Sequence, residues 1–237
     1  MIRTSVSQFS RWLAWGFIII GSLLYMGARL TQSSIPNHSY ATEAGPAPAI
    51  IQTIAAGPFK GLASDYNILA VFTMYDHIKH APLDKPQQQL AWQHLSSYLH
   101  RAQSLDPWFM DTYRLSIGLL AFHEGFSYDA VQLLKAGSSK ISQDWRLPFF
   151  AGFIAYDRLN DHKMAYEFMQ EAIRRPNAPP LAIGLASRFL MKEKGNEASL
   201  LFLEYLLQTM PRAYHDPIKK RIEKLKSQSE SSNERSE

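Results

Sequence analysis

The side chains able to do acid–base or metal chemistry are few and scattered. Asp76, His77 and His80 fall within one turn of a helical stretch, and His77 with His80 has a one-turn spacing that could hold two metal ligands. A helical zinc pair places its histidines at i and i+4 with a glutamate between them, and that glutamate is missing. Spacing and ligand number both fall short of a metal site, so these residues read as ordinary exposed histidines. His94 and His100 lie six residues apart and face different directions on a helix. Asp157-Arg158 and Lys192-Glu193 read as solvated charge at helix ends rather than acid–base pairs. With no cysteine in the chain, disulfides, thiolate metal sites and a cysteine nucleophile are excluded together. Gly57 and Gly61 are isolated and no Gly-Lys-Ser/Thr run follows them, so there is no phosphate loop. The G-x-S-x-G elbow of a hydrolase is also missing. The expectation is a protein that is not an enzyme and holds no cofactor and no metal. An enzyme or metal-binding helical protein is the competing reading, and it requires Asp76, His77 and His80 to meet a further ligand.

Apolar residues make up 46% of the chain and charged residues 19%, enough to build a core. The formal charge of +4 is small. Much of it comes from Lys219, Lys220, Arg221 and Lys224 near the C-terminus. A nucleic-acid interface spreads base along a face with aromatics between, so nucleic acid is not an expected partner.

The first thirty residues bear on the compartment. Trp12 to Ala28 carries no charge and is bounded by Arg11 and Arg29. At 1.5 Å per residue such a helix spans about 25 Å, the short end of what a bilayer needs. Both arginines can lengthen it by snorkelling, and Trp12, Trp15 and Tyr25 sit where rings favour headgroup depth. Residues 12–30 are therefore expected to be a transmembrane anchor that meets the lipid bilayer. Arg3 and Arg11 precede it, while only Arg29 follows before Lys60, which puts residues 1–11 in the cytoplasm and the rest outside it. A cleaved signal peptide is the competing reading, against which stand the long apolar run and the poor cleavage site at Met26-Gly27-Ala28. Residues 31–57, rich in Ser, Thr, Pro and Ala, read as a flexible tether.

From residue 58 to 213 the pattern is helical and punctuated at a fixed interval. Gly125, Asn160 and Gly195 stand at successive steps of thirty-five residues, as do Pro176 and Pro211, and Ala130 and Ala165. Each unit reads as helix A, a turn with Gly or Asn, helix B, and a proline break. Gly or Asn tolerates the left-handed conformation that ends helix A, Ala lets the helices approach, and Pro stops helix B. The first helix A is expected from Leu62 to about His80, with Leu62, Ile68 and Leu69 packing inward, and a loop at 81–86. Residues 214–226 read as a capping helix whose stripe is Ile218, Ile222 and Leu225, started by Asp216-Pro217. The charged, serine-rich tail at 227–237 reads as disordered.

This register resembles the tetratricopeptide repeat family. Residues 111–137 are similar to its motif through Gly118, Gly125 and Ala130. Residues 149–176 are similar through Tyr156, Asn160-Asp161, Ala165, Ala172 and Pro176, and 99–107 through Ala102, Asp106 and Pro107. Residues 184–211 resemble a degenerate copy, with Gly195-Asn196 and Pro211 in place but Leu200 where a small residue belongs. The run GPFKGLASD at 57–65 is similar to the opening of a group of bacterial membrane-anchored repeat proteins. The resemblance implies an all-α chain: a transmembrane helix, then a solenoid of about four helical hairpins, then a capping helix. It also implies a concave groove lined by helix A residues. These are Leu115, Leu119, Phe122 and His123, then Phe150, Ile154, Asp157 and Arg158, then Leu185, Phe189, Lys192 and Glu193. An apolar floor with a charged lip suits a protein or peptide partner, in a periplasmic scaffold on the inner membrane. Two alternatives stand beside it: these apolar residues are packed as core, or the protein is a structural subunit that docks by its convex face.

Overall fold

The computed structural model describes residues 15, 16, 18–23, 26 and 49–233. The chain divides into two units, Met1–Ala44 and Gly45–Glu237. In the first, the described residues are helical, and Trp15, Ile18, Ile19, Ile20, Leu23 and Met26 are exposed. Among the described residues no helix is long and apolar enough to cross a membrane. Much of the expected anchor at 12–30 lies outside the described residues, namely 12–14, 17, 24, 25 and 27–30.

In the second unit helices joined by short turns make up the described residues, with no strand among them. A short helix α1 (Ala49–Ala56) leads through a 3-10 turn into α2 (Lys60–His80). Then come α3 (Lys85–Leu105), α4 (Met110–Leu115), α5 (Ser127–Lys140), α6 (Arg146–Asp157) and α7 (His162–Ile173). The series closes with α8 (Pro180–Lys194), α9 (Asn196–Thr209) and α10 (His215–Asn233). Consecutive helices pack on one another, so α2–α3, α4–α5, α6–α7 and α8–α9 are four hairpins and α10 lies on the last. Packing is local in sequence, as a stacked array requires.

The punctuation has a direct backbone cause. Gly125, Asn160 and Gly195 all adopt positive φ, at 84°, 52° and 89°. This conformation costs an ordinary residue about 1–2 kcal/mol and suits Gly and Asn. At the third hairpin the Asp161 N–H reaches back to the Ala155 carbonyl at 3.0 Å, and the Asp161 carboxylate then caps α7 by accepting from the Met164 N–H at 2.8 Å. The loop before α3 is closed by a capping box. Asp84 accepts from the Gln87 N–H at 2.8 Å and the Gln87 side chain accepts from the Asp84 N–H at 3.1 Å. Ala102, Ala130 and Ala165 are fully buried at the helix crossings. Prolines 107, 176 and 211 each follow the end of a second helix.

Two buried clusters fill the stack. One runs from Ile68 through Leu95, Leu99, Tyr113 and Leu134 to Ile154. The other runs from Met169 through Phe189 and Leu203 to Ile218 and Leu225 on α10.

Several expectations are corrected. Residues 49–56, within the expected tether, form α1, since Ala and Gln favour helix; α1 packs on α2, where the Asn67 amide donates to Gln52 at 3.2 Å. Residues 31–48 lie outside the described residues. On α2, Ile68 is buried as expected but Leu62 and Leu69 are exposed; the face turned to α3 carries Ser64, Asn67, Val71, Met74 and Ile78. That helix is apolar on several sides, so its sequence does not single out a core face. The final helix begins at His215 and continues to Asn233, into the expected tail, because extending an existing helix adds one bond per ordered residue. In the last hairpin the small residue is Ser199, fully buried, and not position 200. Gly195 itself caps α9, one residue earlier than in the other turns, so the register slips by one and Leu200 escapes the crossing. Ser199 Oγ donates to the Ser187 carbonyl at 2.9 Å there.

Candidate functional site

The hairpin turns are where the sequence-predicted groove residues meet. The helix begun by α4 continues as a π-helical turn, Ser116–Leu120, in which the Ala121 N–H bonds the Ser116 carbonyl at 3.1 Å. The wider turn absorbs an extra residue and re-aims the segment carrying Phe122 and His123. Gly125 then reverses the chain, and the Ser127 hydroxyl fastens the turn by donating to the Ala121 carbonyl at 2.8 Å. Between this turn and the end of α6 lies an open pocket of about 440 Å³. Its walls include Phe122, His123, Glu124, Tyr128 and Arg158.

Phe122 is 49% exposed, and the Arg158 guanidinium sits 4.9 Å from its ring centroid. Arg158 also pairs with Asp157 at 3.2 Å. His123 is held from behind: its ring stacks on Trp92 at 3.8 Å between centroids. Trp92 in turn meets Tyr75 edge-on at 6.2 Å and Phe126 at 6.3 Å, so the pocket wall is braced by the first hairpin. Burial pushes the His123 pKa below its usual value, with Glu124 opposing and Lys79 adding to the shift, so the imidazole favours its neutral form.

The next hairpin repeats part of the arrangement. Tyr156 stacks on Phe189 at 4.4 Å, and Lys192 lies 5.1 Å and Arg188 5.8 Å from the Tyr156 centroid. In both pairs, Phe122 with Arg158 and Tyr156 with Lys192, the cation follows its ring by thirty-six residues. A cation from one hairpin thus covers the aromatic of the preceding one, a contact of about 0.5–2 kcal/mol according to exposure. Sequence reasoning placed Arg158 and Lys192 at the lip without seeing these contacts; the one-repeat interval between ring and cation is the signal that could have found them.

The remaining predicted positions divide by burial. Ile154 and Phe189 are fully buried and belong to the core. Leu115, Leu119 and Phe150 are partly buried against the first cluster and Leu185 against the second. Asp157, Arg158, Lys192 and Glu193 are exposed. The open surface is therefore the Phe122 ring with Tyr128 beside it, the His123 imidazole and a charged rim, while the aliphatic floor is packed into the molecule.

A second concavity of about 400 Å³ lies between α5 and α7, with Lys135, Lys163, Glu167 and Glu171 around Val131 and Phe168. No sequence motif pointed to it. Of the metal candidates, His80 pairs with Asp76 at 2.9 Å on an exposed face. Among the described residues no group of three or more His, Asp or Glu side chains could hold a metal ion. Such an arrangement can bind through aromatic, cationic and acidic contacts. No family model and no curated protein matches the chain.

Proposed function

We propose that the protein is a membrane-anchored scaffold of the tetratricopeptide repeat type that binds a protein or peptide partner and is not an enzyme. The four consecutive hairpins, and the positive-φ turns at thirty-five-residue steps in the last three of them, support the repeat reading. The apolar run at 12–28 supports an anchor in the inner membrane, with the hairpins on the periplasmic side. One observation carries the binding reading: Phe122 stays half exposed in an open pocket beside a cation and a neutral imidazole. An aromatic or aliphatic anchor of an extended peptide fills such a pocket, while the Asp157, Arg158 and Glu124 rim sets its register.

Co-purification of the full chain from membranes, as wild type and as Phe122→Ala and Arg158→Glu, tests this. Both variants are expected to lose a partner that the wild type retains, with unchanged melting temperature, and a partner kept by both would sink the reading. The charged concavity between α5 and α7 supports a second reading, a structural subunit that docks by that face. Under it, Lys163→Glu with Glu167→Lys breaks the association and Phe122→Ala does not.

A further inference from the structure

The two ends of the stack are finished differently. A stacked array needs terminal elements with a polar outer face. At the C-terminal end α10 supplies one: Ile218, Ile222 and Leu225 face inward while Lys219, Lys220, Glu223 and Lys224 are exposed. At the other end α2 does the opposite. Phe59 at its N-cap, then Leu62, Tyr66, Leu69 and Phe72, are each 53–69% exposed. Their spacing of three, four, three and three residues keeps them on one winding stripe.

We infer that this stripe on α2 is a homodimer interface, in which two copies of the chain pair their α2 helices antiparallel about a two-fold axis beside Tyr66. The order of the residues supports a second copy as the occupant. A two-fold interface must be self-complementary, each residue meeting its mirror position on the partner. Read from either end the stripe is Phe, Leu, Tyr, Leu, Phe. Antiparallel pairing sets Phe59 against Phe72 and Leu62 against Leu69 and brings the two Tyr66 rings together beside the axis, so the large apolar side chains of the stripe meet one another.

The area is also of the right order. Buried aromatic side chains cover about 150–250 Å² each. Three of them with two leucines, about two-thirds exposed, present several hundred Å² per copy, comparable with the roughly 800 Å² per partner of a stable interface. Ile50, Ile51 and Ile54 on α1 are exposed too and extend the apolar surface beyond the start of α2.

The chain has no cysteine, so a single Tyr66→Cys substitution places the only thiol at the proposed axis. The full chain, purified in mild detergent, is expected to have the mass of two copies. Mild oxidation of Tyr66→Cys is expected to link it to a dimer on a gel, while Ser104→Cys, on an exposed site of α3, stays single. Leu69→Glu is expected to halve the mass with unchanged helical circular dichroism. A wild-type chain of single mass at the highest attainable concentration overturns the inference, as does a doubled mass that survives Leu69→Glu. So does a Tyr66→Cys thiol that is shielded from maleimide in a single-mass chain, which would mean that residues 1–48 cover the stripe instead.

Discussion

Gly137 carries more of the second hairpin than its size suggests. A methyl group at that position would lie 2.5 Å from Cε1 of Tyr113. The ring cannot step aside: it is fully buried, and its hydroxyl donates to the Pro107 carbonyl at 2.6 Å. Gly137→Ala is expected to lower stability by about 1–3 kcal/mol, the usual cost of overpacking, measured by urea unfolding. Gly184, in the interior of α8, has nothing within 4 Å of the same added atom. Gly184→Ala is expected to raise stability by about 0.5–1 kcal/mol, because alanine loses less backbone entropy. A matched gain in both variants would show that helix propensity and not the Tyr113 contact decides. Neither distinction is visible in the sequence, where both positions are a glycine within a helical pattern.

Between elements, the second and third hairpins are tied by one side chain. Arg175, just beyond α7, is largely buried and donates to the carbonyls of Ser138 at 2.9 Å, Ile141 at 3.0 Å and Asp144 at 2.6 Å. It also pairs with Glu171, which accepts from the Ser138 hydroxyl at 2.6 Å. The guanidinium satisfies carbonyl groups left open at the end of α5 and in the loop before α6, a task that calls for several donors in a fixed plane. Arg175→Ala leaves those carbonyls without that donor and is expected to cost about 2–4 kcal/mol in the same unfolding measurement. Arg175→Lys is expected to recover less than half of it, since one ammonium cannot reach three carbonyls together. Full recovery by lysine would mean that charge alone holds the hairpins.

Across the whole hairpin stack, acid is expected to loosen the structure before carboxylates are titrated. Burial pushes His94, His100 and His123 below the ordinary histidine value of 6.5, with Asp129 opposing the shift at His100. A native pKa below the unfolded one means that the unfolded chain binds more protons, so stability is full above about pH 7 and declines as pH falls through 6.5. Asp144, held below its ordinary value chiefly by the Arg146 hydrogen bond, stays ionised over that range and adds nothing to the slope. The melting temperature should therefore fall between about pH 7.5 and 5.5. His123→Phe, which keeps a ring on Trp92, should flatten part of that fall. A melting temperature that rises on acidification would reverse the sign and exclude burial as the cause.

Residue type alone marks where the helices of the last three hairpins turn. Gly125, Asn160 and Gly195 announce left-handed backbone because few other residues tolerate it, and Ala102, Ala130 and Ala165 announce close crossings because little else fits. Those are local constraints, satisfied within a few residues of where they are written. Which side of each helix is open was decided only by tertiary packing. Ile154 and Phe189, expected beside a groove, fill the core, whereas Leu62 and Leu69, expected inside, face solvent. The register slip to Ser199, the cations laid over Phe122 and Tyr156, and the ring of Trp92 behind His123 likewise join residues from different helices. Periodicity defines a stripe on a helix, but its partner is fixed only when neighbouring helices arrive.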